Sequence, residues 1–330
     1  MISPEPSTAQ LARDIIAGRF EEDTVSSQLV SMSARGERCE EVLSMAAAFR
    51  EAAVPVPTAH PVVADLCGTG GARVRTLNVS TAAAFVVSSL GVPVAKHGNR
   101  SNHLCGSADV LEALGARIFL SPQEAGRMLD RIGFTFLFAP SFHPAMKNAV
   151  PMRRRIGGRT VFNMLGPLLN PVRARRRQLI GVYSPALLDV LPPVLDALGV
   201  ERALVVHGYP GMDEVSLTGT TKVAELRDGR VDRYIIDPVR LGITPPEGEG
   251  LSELPPARAA QALRSVLSGV AGPRRNMVAL NAACALYIYG RASDLEKGLL
   301  MAERALDTGA AFRRMEEFVR LSNLGAMADA

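Results

Sequence analysis

The chain has 330 residues, 47% of them hydrophobic, and a formal net charge of +4, so it is long enough for a full core and two domains or subdomains. No apolar run reaches the length of a membrane span, and the N-terminus has no basic and apolar segments typical of a secretory signal. The four cysteines lack metal-ligand spacing, so we expect free thiols in a cytoplasmic protein.

Apolar positions in residues 8–53 recur at spacings of three and four, which predicts helices. A proline-rich linker follows, and strands then alternate with helices, which favours a mostly parallel sheet covered by helices. The predicted strands are 62–66, 92–96, 116–119, 134–138, 178–182, 202–207, 222–227 and 230–236, the last two joined by an Asp228-Gly229 turn. The predicted helices beyond the linker are 81–90, 107–114, 122–132, 143–156, 257–268, 274–290, 293–307 and 309–321.

One stretch is rich in groups that bind a phosphorylated sugar. It contains a glycine loop (Gly68–Gly71), the hydroxyl and amide segment Asn78–Thr81, and Lys96. Glycines let backbone N–H groups approach an anion, and a helix N-terminus also favours phosphate. Because these segments follow or end predicted strands, we expect them at one edge of the sheet, where α/β proteins bind ligands. Glycines in an ordinary tight turn are the alternative for the loop alone.

Asp213 and Glu214 follow the predicted strand 202–207 through a turn. One or two carboxylates combined with substrate phosphate oxygens are the ligands that Mg²⁺ prefers. The pair therefore predicts a magnesium site beside the phosphate loop, with an exposed acidic turn as the alternative.

Several other polar residues have two interpretations. Arg153 follows His143 by one helical stretch, and a guanidinium can bind a carboxylate with two hydrogen bonds, whereas a surface arginine is the alternative. His97 and His143 are candidate positioning or proton-carrying residues, or simply core histidines. The arginine cluster 173–177 reads as a solvated face. Without interleaved aromatic residues, nucleic-acid binding is not supported.

Taken together, these segments resemble the anthranilate phosphoribosyltransferase family, which belongs to the nucleoside-phosphorylase-like class of phosphoribosyltransferases. The similarity runs in family order over nearly the whole chain. The segments that carry it are Gly68-Thr-Gly-Gly71, Asn78-Val-Ser-Thr81, Lys96-His-Gly-Asn-Arg100, Gly106–Gly115, His143-Pro-Ala-Met-Lys147, Arg159–Pro171 and Val206–Ser216.

The resemblance implies an α/β fold with a small helical domain, residues 1–57 joined by about 143–170, and a larger α/β domain, residues 58–142 and 171–330. It implies homodimers formed through the helical domain. The implied reaction moves phosphoribosyl from 5-phosphoribosyl 1-diphosphate to anthranilate and releases diphosphate, a step in tryptophan biosynthesis. The enzyme class would be a pentosyltransferase that uses Mg²⁺.

The resemblance also implies roles for individual residues. Gly68 and Gly71 would lie at the diphosphate and acceptor sites, and Asn99 and Arg153 would contact anthranilate. Asp213 and Glu214 would hold Mg²⁺ together with Ser80. The remaining donor-binding residues would be Thr76, Asn78, Ser80, Thr81, Lys96 and Ser107.

Two departures from the family pattern fall at the donor site. Ala72 stands where the family usually has Asp, and the loop Ser101–Cys105 is one residue shorter and lacks a lysine. Because both changes remove polar groups, we expect weaker binding of the sugar diphosphate.

Two other functions remain open at this point. A relative with a different acceptor, another aryl amine or a nucleobase, would keep the donor site and change the acceptor site. A catalytically weak relative with a basic surface would bind nucleic acid through the 173–177 arginines. Arg153 and Asn99 favour a carboxylated aryl amine as the acceptor, and salt-dependent DNA binding tests the second alternative.

Overall fold

The computed structural model describes residues 2–4, 6–101, 103–246 and 250–324. The chain begins with three helices, α1 (Pro6–Ala17), α2 (Glu22–Arg35) and α3 (Cys39–Glu51). Their apolar faces are buried, as the three and four spacing predicts. None of the described helices is long and apolar enough to cross a membrane.

A seven-stranded sheet follows, in the order β3-β2-β1-β4-β5-β6-β7. The strands are β1 (Val62–Gly68), β2 (Val94–Gly98), β3 (Phe134–Phe138), β4 (Arg175–Gly181), β5 (Val200–Gly208), β6 (Thr221–Arg227) and β7 (Arg230–Ile236). The first five pair in parallel, and β6 and β7 extend the sheet antiparallel to β5. Asp228 and Gly229 have positive φ in the predicted hairpin turn.

Helices cover both faces of the sheet. Those within the chain's middle are α4 (Val79–Ser89), α5 (Ser107–Ala113), α6 (Pro122–Ile132), α7 (Ala139–Phe142), α8 (Val150–Ile156), α9 (Phe162–Leu165) and α10 (Leu187–Ala197). Those near the C-terminus are α11 (Pro256–Leu267), α12 (Pro273–Tyr289), α13 (Leu295–Asp307) and α14 (Ala310–Leu324). The residues 144–149 and 166–168 form short 3-10 turns.

Successive side chains of β5 point to opposite faces of the sheet and therefore pack into two different core clusters. Leu204 and Val206 pack into the cluster built with α4 and α12, whereas Ala203 and Val205 pack into the cluster that includes α1–α3 and α8–α10. The predicted fold class, a helical part joined to a mostly parallel α/β sheet, is confirmed. The exact domain boundaries stay a prediction.

Two sequence interpretations are wrong. Residues 116–119 form no strand, because Arg117 donates backbone and side-chain hydrogen bonds to Ser322 on α14 and not to a neighbouring strand. The alternating burial of this segment comes from helix packing. The 173–177 arginines are also no uniform solvated face, since Arg175 is exposed and Arg176 is buried.

Candidate active site

The carboxyl ends of the parallel strands meet beneath the segment Met212–Ser216. Four strands, β1, β2, β4 and β5, each end in glycine. A Cβ atom on Gly68 would lie 2.4 Å from Asp213 Oδ2, and one on Gly181 would lie 1.5 Å from the Asp213 carbonyl oxygen. Only glycine at these two strand ends therefore lets the acidic segment lie directly over the sheet. The predicted convergence of the glycine loop and the acidic pair is confirmed.

Asp213 and Glu214 are partly buried, so the alternative of an exposed acidic turn is wrong. Asp213 Oδ2 accepts a hydrogen bond from the Gly70 N–H (2.9 Å), and Glu214 Oε2 accepts one from the Thr76 hydroxyl (2.6 Å). Burial raises the pKa of Asp213, and burial together with the neighbouring Asp213 charge raises the pKa of Glu214 well above its ordinary value. The site thus holds two carboxylates that repel each other.

Lys96 is a buried cation that interacts electrostatically with Glu214. Its Nζ donates to the Leu66 carbonyl (2.6 Å) and to Ser80 Oγ (3.1 Å). Burial lowers the pKa of Lys96, and the charge of Glu214 acts in the opposite direction. Ser80, Asp213 and Glu214 line one small cavity. The structure therefore brings the three predicted metal ligands together and places Lys96 next to one of them.

The glycine loop makes contacts that the sequence did not reveal. Gly70 and Gly71 have φ of +68° and +71°, and the Gly71 carbonyl accepts a hydrogen bond from the Arg159 guanidinium. That guanidinium lies 4.5 Å from the centre of the Tyr183 ring. Ala72 is buried. Arg159 stands beside the loop only through the tertiary fold, although its place in the Arg159–Pro171 motif was a signal for it.

Asn78, Thr81, Asn99 and Ser107 lie around the start of α4 and the 99–107 loop. Asn78 Nδ2 donates to the Cys105 carbonyl (3.1 Å) and does not cap α4, while Thr81 is fully buried. Ser107 Oγ donates to the carbonyl of the exposed Asn99 (3.3 Å). Within the predicted short loop, Asn102 lies outside the described residues.

His97 and His143 are buried side by side, with ring centres 5.1 Å apart. His97 Nδ1 lies 3.1 Å from the Gly166 carbonyl oxygen. Burial lowers the pKa of His97 to about 4 and that of His143 to about 3. Both rings are therefore neutral near pH 7, which suits positioning and not proton storage.

Arg153 lies on α8, with its guanidinium 5.5 Å from the centre of the Phe162 ring. It forms no ion pair with any carboxylate of the described residues and is exposed. Its neighbour Arg155 instead pairs with Asp23. Among the hydrogen bonds of the described residues, none joins Arg153 to Asn99, the two predicted acceptor contacts.

Two buried side-chain amides make hydrogen bonds to the strands and the loop of the site. The sequence analysis gave neither amide a role. Asn170 Nδ2 donates to Asp65 Oδ2 (2.9 Å) and to the Ala95 carbonyl (2.7 Å), which links β1 to β2. Asn281 on α12 accepts from the Val215 N–H and donates to the Val215 carbonyl, each at 3.0 Å. This second amide fixes the backbone next to Glu214.

Comparison with known proteins gives a consistent result. A family model described as the glycosyl transferase family, a/b domain, matches residues 60–312. The chain is 46% identical to anthranilate phosphoribosyltransferase from Sorangium cellulosum, covering 97% of this chain and 92% of the relative, and 43% identical to that from Desulfosudis oleivorans, covering 94% and 91%.

Solved structures agree with the sequence comparison. The anthranilate phosphoribosyltransferase from Thermus thermophilus is 39% identical, with a TM-score of 0.90 over 96% of this chain and 95% of that chain. The Saccharomyces cerevisiae enzyme in complex with PRPP and Mg is 27% identical, with a TM-score of 0.87 over 96% and 93%.

Proposed function

The chain belongs to the anthranilate phosphoribosyltransferase family, and we propose that its carboxyl-edge site transfers phosphoribosyl from 5-phosphoribosyl 1-diphosphate to the amine of anthranilate. The chain is accordingly a pentosyltransferase of tryptophan biosynthesis. The observation that carries the proposal is the meeting of Lys96, Ser80 and the Asp213-Glu214 pair at the glycine-terminated strand ends.

The donor would bind along the glycine loop and the start of α4. Backbone N–H groups of a glycine loop and the charge of Lys96 suit the diphosphate and phosphate oxygens. The further donor contacts that we propose are Gly68, Gly71, Thr76, Asn78, Ser80, Thr81 and Ser107.

The residues present fit a bound Mg²⁺. Two carboxylates and one hydroxyl, all oxygen donors, face one cavity, and Lys96 alone leaves the pair with excess negative charge. No group of three His, Cys, Asp or Glu residues in the described chain could hold a metal unaided, so donor oxygens would complete the shell. When bound, Mg²⁺ would neutralise charge on the leaving diphosphate. The yeast relative is known in complex with PRPP and Mg.

The acceptor would lie toward Arg153 and Asn99, on the side of the histidine pair. Arg153 is free of ion pairs within the described residues, so its guanidinium is available to a carboxylate. A yeast relative is known in complex with 4-fluoroanthranilate. A carboxylated aryl amine therefore suits this side better than a nucleobase.

The reaction forms a bond from the amine nitrogen to C1 of ribose and breaks the bond from C1 to a diphosphate oxygen. Alignment of the two substrates and stabilisation of the departing negative charge supply most of the catalysis. The nitrogen becomes acidic only after it bonds to carbon, and its proton then leaves to solvent. A strong base is therefore unnecessary, in keeping with two histidines whose pKa values lie at about 4 and about 3.

We also propose a homodimer formed through the helical region, where Val30 and Val150 are exposed apolar side chains. Location in the cytoplasm is proposed because all four cysteines are free.

The test mixes purified protein with anthranilate, 5-phosphoribosyl 1-diphosphate and Mg²⁺ and follows the loss of anthranilate fluorescence. Loss that requires all three components supports the proposal. No loss with anthranilate, together with turnover of another aryl amine or a nucleobase in parallel wells, would assign the site to a different acceptor.

A further inference from the structure

A second polar cleft lies at the amino ends of the strands, on the sheet edge opposite the active site. It has a volume of about 420 Å³. The residues that line it are Arg50, Glu51, Ala53, Pro55, Asn170, Pro171, Val172, Arg173, Ala174 and Arg176. Three arginines and one glutamate give the lining a formal charge of +2, counted as three minus one.

Two of these arginines, one buried and one partly buried, have no carboxylate partner among the described residues. Arg176 is 3% exposed and Arg50 is partly buried, and neither lies within ion-pair distance of an acid in the described structure. Both point to one acceptor, the Leu198 carbonyl oxygen, at 2.9 Å from Arg50 Nη1 and 3.5 Å from Arg176 Nη2. A guanidinium has five N–H donors, so most of these donors lack an acceptor among the described residues.

Charges around Arg176 do not neutralise it. Burial and the charge of Arg50 together lower the pKa of Arg176 to about 10, and Asp65 acts in the opposite direction. The Asp65 carboxylate is already engaged by Asn170 and by the His97 N–H. Glu51, the remaining acid of the cleft, is exposed. Burying like charges without a counterion costs free energy, which a bound anion would recover.

The neighbouring arginines of the same strand behave differently. Arg175 and Arg177 both pair with Glu201, and Arg177 also lies 5.5 Å from the centre of the Tyr289 ring. Because the charges of Arg175 and Arg177 are paired, the unpaired positive charge of this region is confined to the cleft lined by Arg50, Arg173 and Arg176.

The cleft also lies where the chain crosses twice between the helical part and the sheet. The Val56 N–H donates to the Pro171 carbonyl (3.1 Å), and the Arg173 N–H donates to the Val56 carbonyl (2.9 Å). Arg50 lies in the last turn of α3 on the helical side, whereas Arg176 belongs to β4. A ligand held by both would tie the two parts together at this crossing.

We propose that this cleft binds a small phosphate-class dianion between Arg50 and Arg176, and so stiffens the connection between the helical part and the sheet. The site is separate from the donor site, and its existence does not depend on the proposed function. Free inorganic phosphate and a phosphate ester share the chemistry that this pair recognises.

Calorimetry with inorganic phosphate tests the proposal, on protein already saturated with 5-phosphoribosyl 1-diphosphate and Mg²⁺ and without anthranilate, at constant ionic strength. Wild type should bind one phosphate. Arg50→Gln and Arg176→Gln should each weaken binding at least tenfold, because each removes a charged donor. Arg175→Gln, which alters an exposed arginine of the same cluster, should bind within about twofold of wild type. Parallel titrations with diphosphate and adenosine monophosphate distinguish the free ion from an ester.

Thermal melting of the same donor-saturated protein gives a second readout. Phosphate should raise the Tm of wild type and of Arg175→Gln but not that of Arg176→Gln, and Arg176→Lys should recover part of the shift. If wild type binds no phosphate once the donor is present, or if both glutamine variants bind as wild type does, the proposal is wrong. Should Arg176→Gln not fold, Arg50→Gln alone decides between these outcomes.

Discussion

The two edges of the sheet carry opposite electrostatic imbalances. At the carboxyl edge, Asp213 and Glu214 share a cavity, with Lys96 as the buried cation nearby. At the amino edge, Arg50 and Arg176 share one carbonyl acceptor and have no paired acid in the described structure. Buried charge that the chain leaves uncompensated indicates a ligand of the opposite sign, a cation at one edge and an anion at the other.

The largest expected effect comes from removing the negative charge of the carboxyl edge. The double variant Asp213→Asn, Glu214→Gln should lose at least about a hundredfold in kcat/KM, because it loses both charges that would hold Mg²⁺. Asp232→Asn, an exposed acid on β7, serves as the control. Steady-state kinetics over a Mg²⁺ series measure the loss. A double variant that keeps full activity in the presence of chelator contradicts the metal assignment.

Arg153→Gln tests whether the carboxyl-edge site has its own positive group for the acceptor. Loss of a charge-assisted pair costs roughly 1.5–3 kcal/mol, which is about tenfold to a hundredfold in the KM for anthranilate. The KM for the donor should change little. Arg155→Gln, which breaks only the exposed pair with Asp23, is the matched control. A raised donor KM with an unchanged anthranilate KM would mean that Arg153 serves the donor.

The variant Ala72→Asp tests whether the site at the carboxyl edge lacks the carboxylate that the family usually has at this position. We expect the variant to bind the sugar diphosphate more tightly, by about tenfold for one added hydrogen bond of roughly 1.5 kcal/mol. Calorimetry with and without Mg²⁺ measures the change. Unchanged or weaker binding would show that nearby groups already replace the carboxylate, with Arg73, Arg75 and His103 as the candidates in these loops.

The smallest effect is a pH dependence of stability in metal-free protein. The pKa of Glu214 is raised in the folded state above its ordinary 4.5, so the folded chain holds this proton more tightly than the unfolded chain. The stabilising contribution is present below the ordinary pKa and is lost as pH rises through the raised one. The Tm of Glu214→Gln should therefore increase relative to the Tm of wild type as pH rises. A penalty of about 1 kcal/mol corresponds to roughly 1.5 °C for a chain of 330 residues.

Melting curves from pH 4 to 8 measure this difference, and Mg²⁺ with donor should reduce it at the high end. A difference that does not change with pH would show that Glu214 keeps its ordinary pKa. Glu253→Gln, which removes an acid that accepts from the Cys105 N–H, is the control for loss of a hydrogen-bonded carboxylate.

Local patterns predicted the parallel sheet, the hairpin at Asp228-Gly229 and the gathering of the glycine loop, Lys96 and the acidic pair. These features depend on periodicity, turn chemistry and strand direction, which neighbouring residues encode. The false strand at 116–119 shows the limit, because alternating burial arises equally from packing against helices such as α14. Asn281 and Arg159 were missed because each acts on a segment far away in the chain.

The sequence by itself determined the fold class, the polar segments of the site and the likeness to a family, since these are properties of short motifs in a fixed order. Tertiary structure decided which charges are satisfied. Arg175, Arg176 and Arg177 are adjacent and identical in type, yet the first and third pair with Glu201 and the second is buried without an acid. Alternation along β4 sends neighbours to opposite faces, and only the packing of α3 and α10 around that strand decides what each side chain meets.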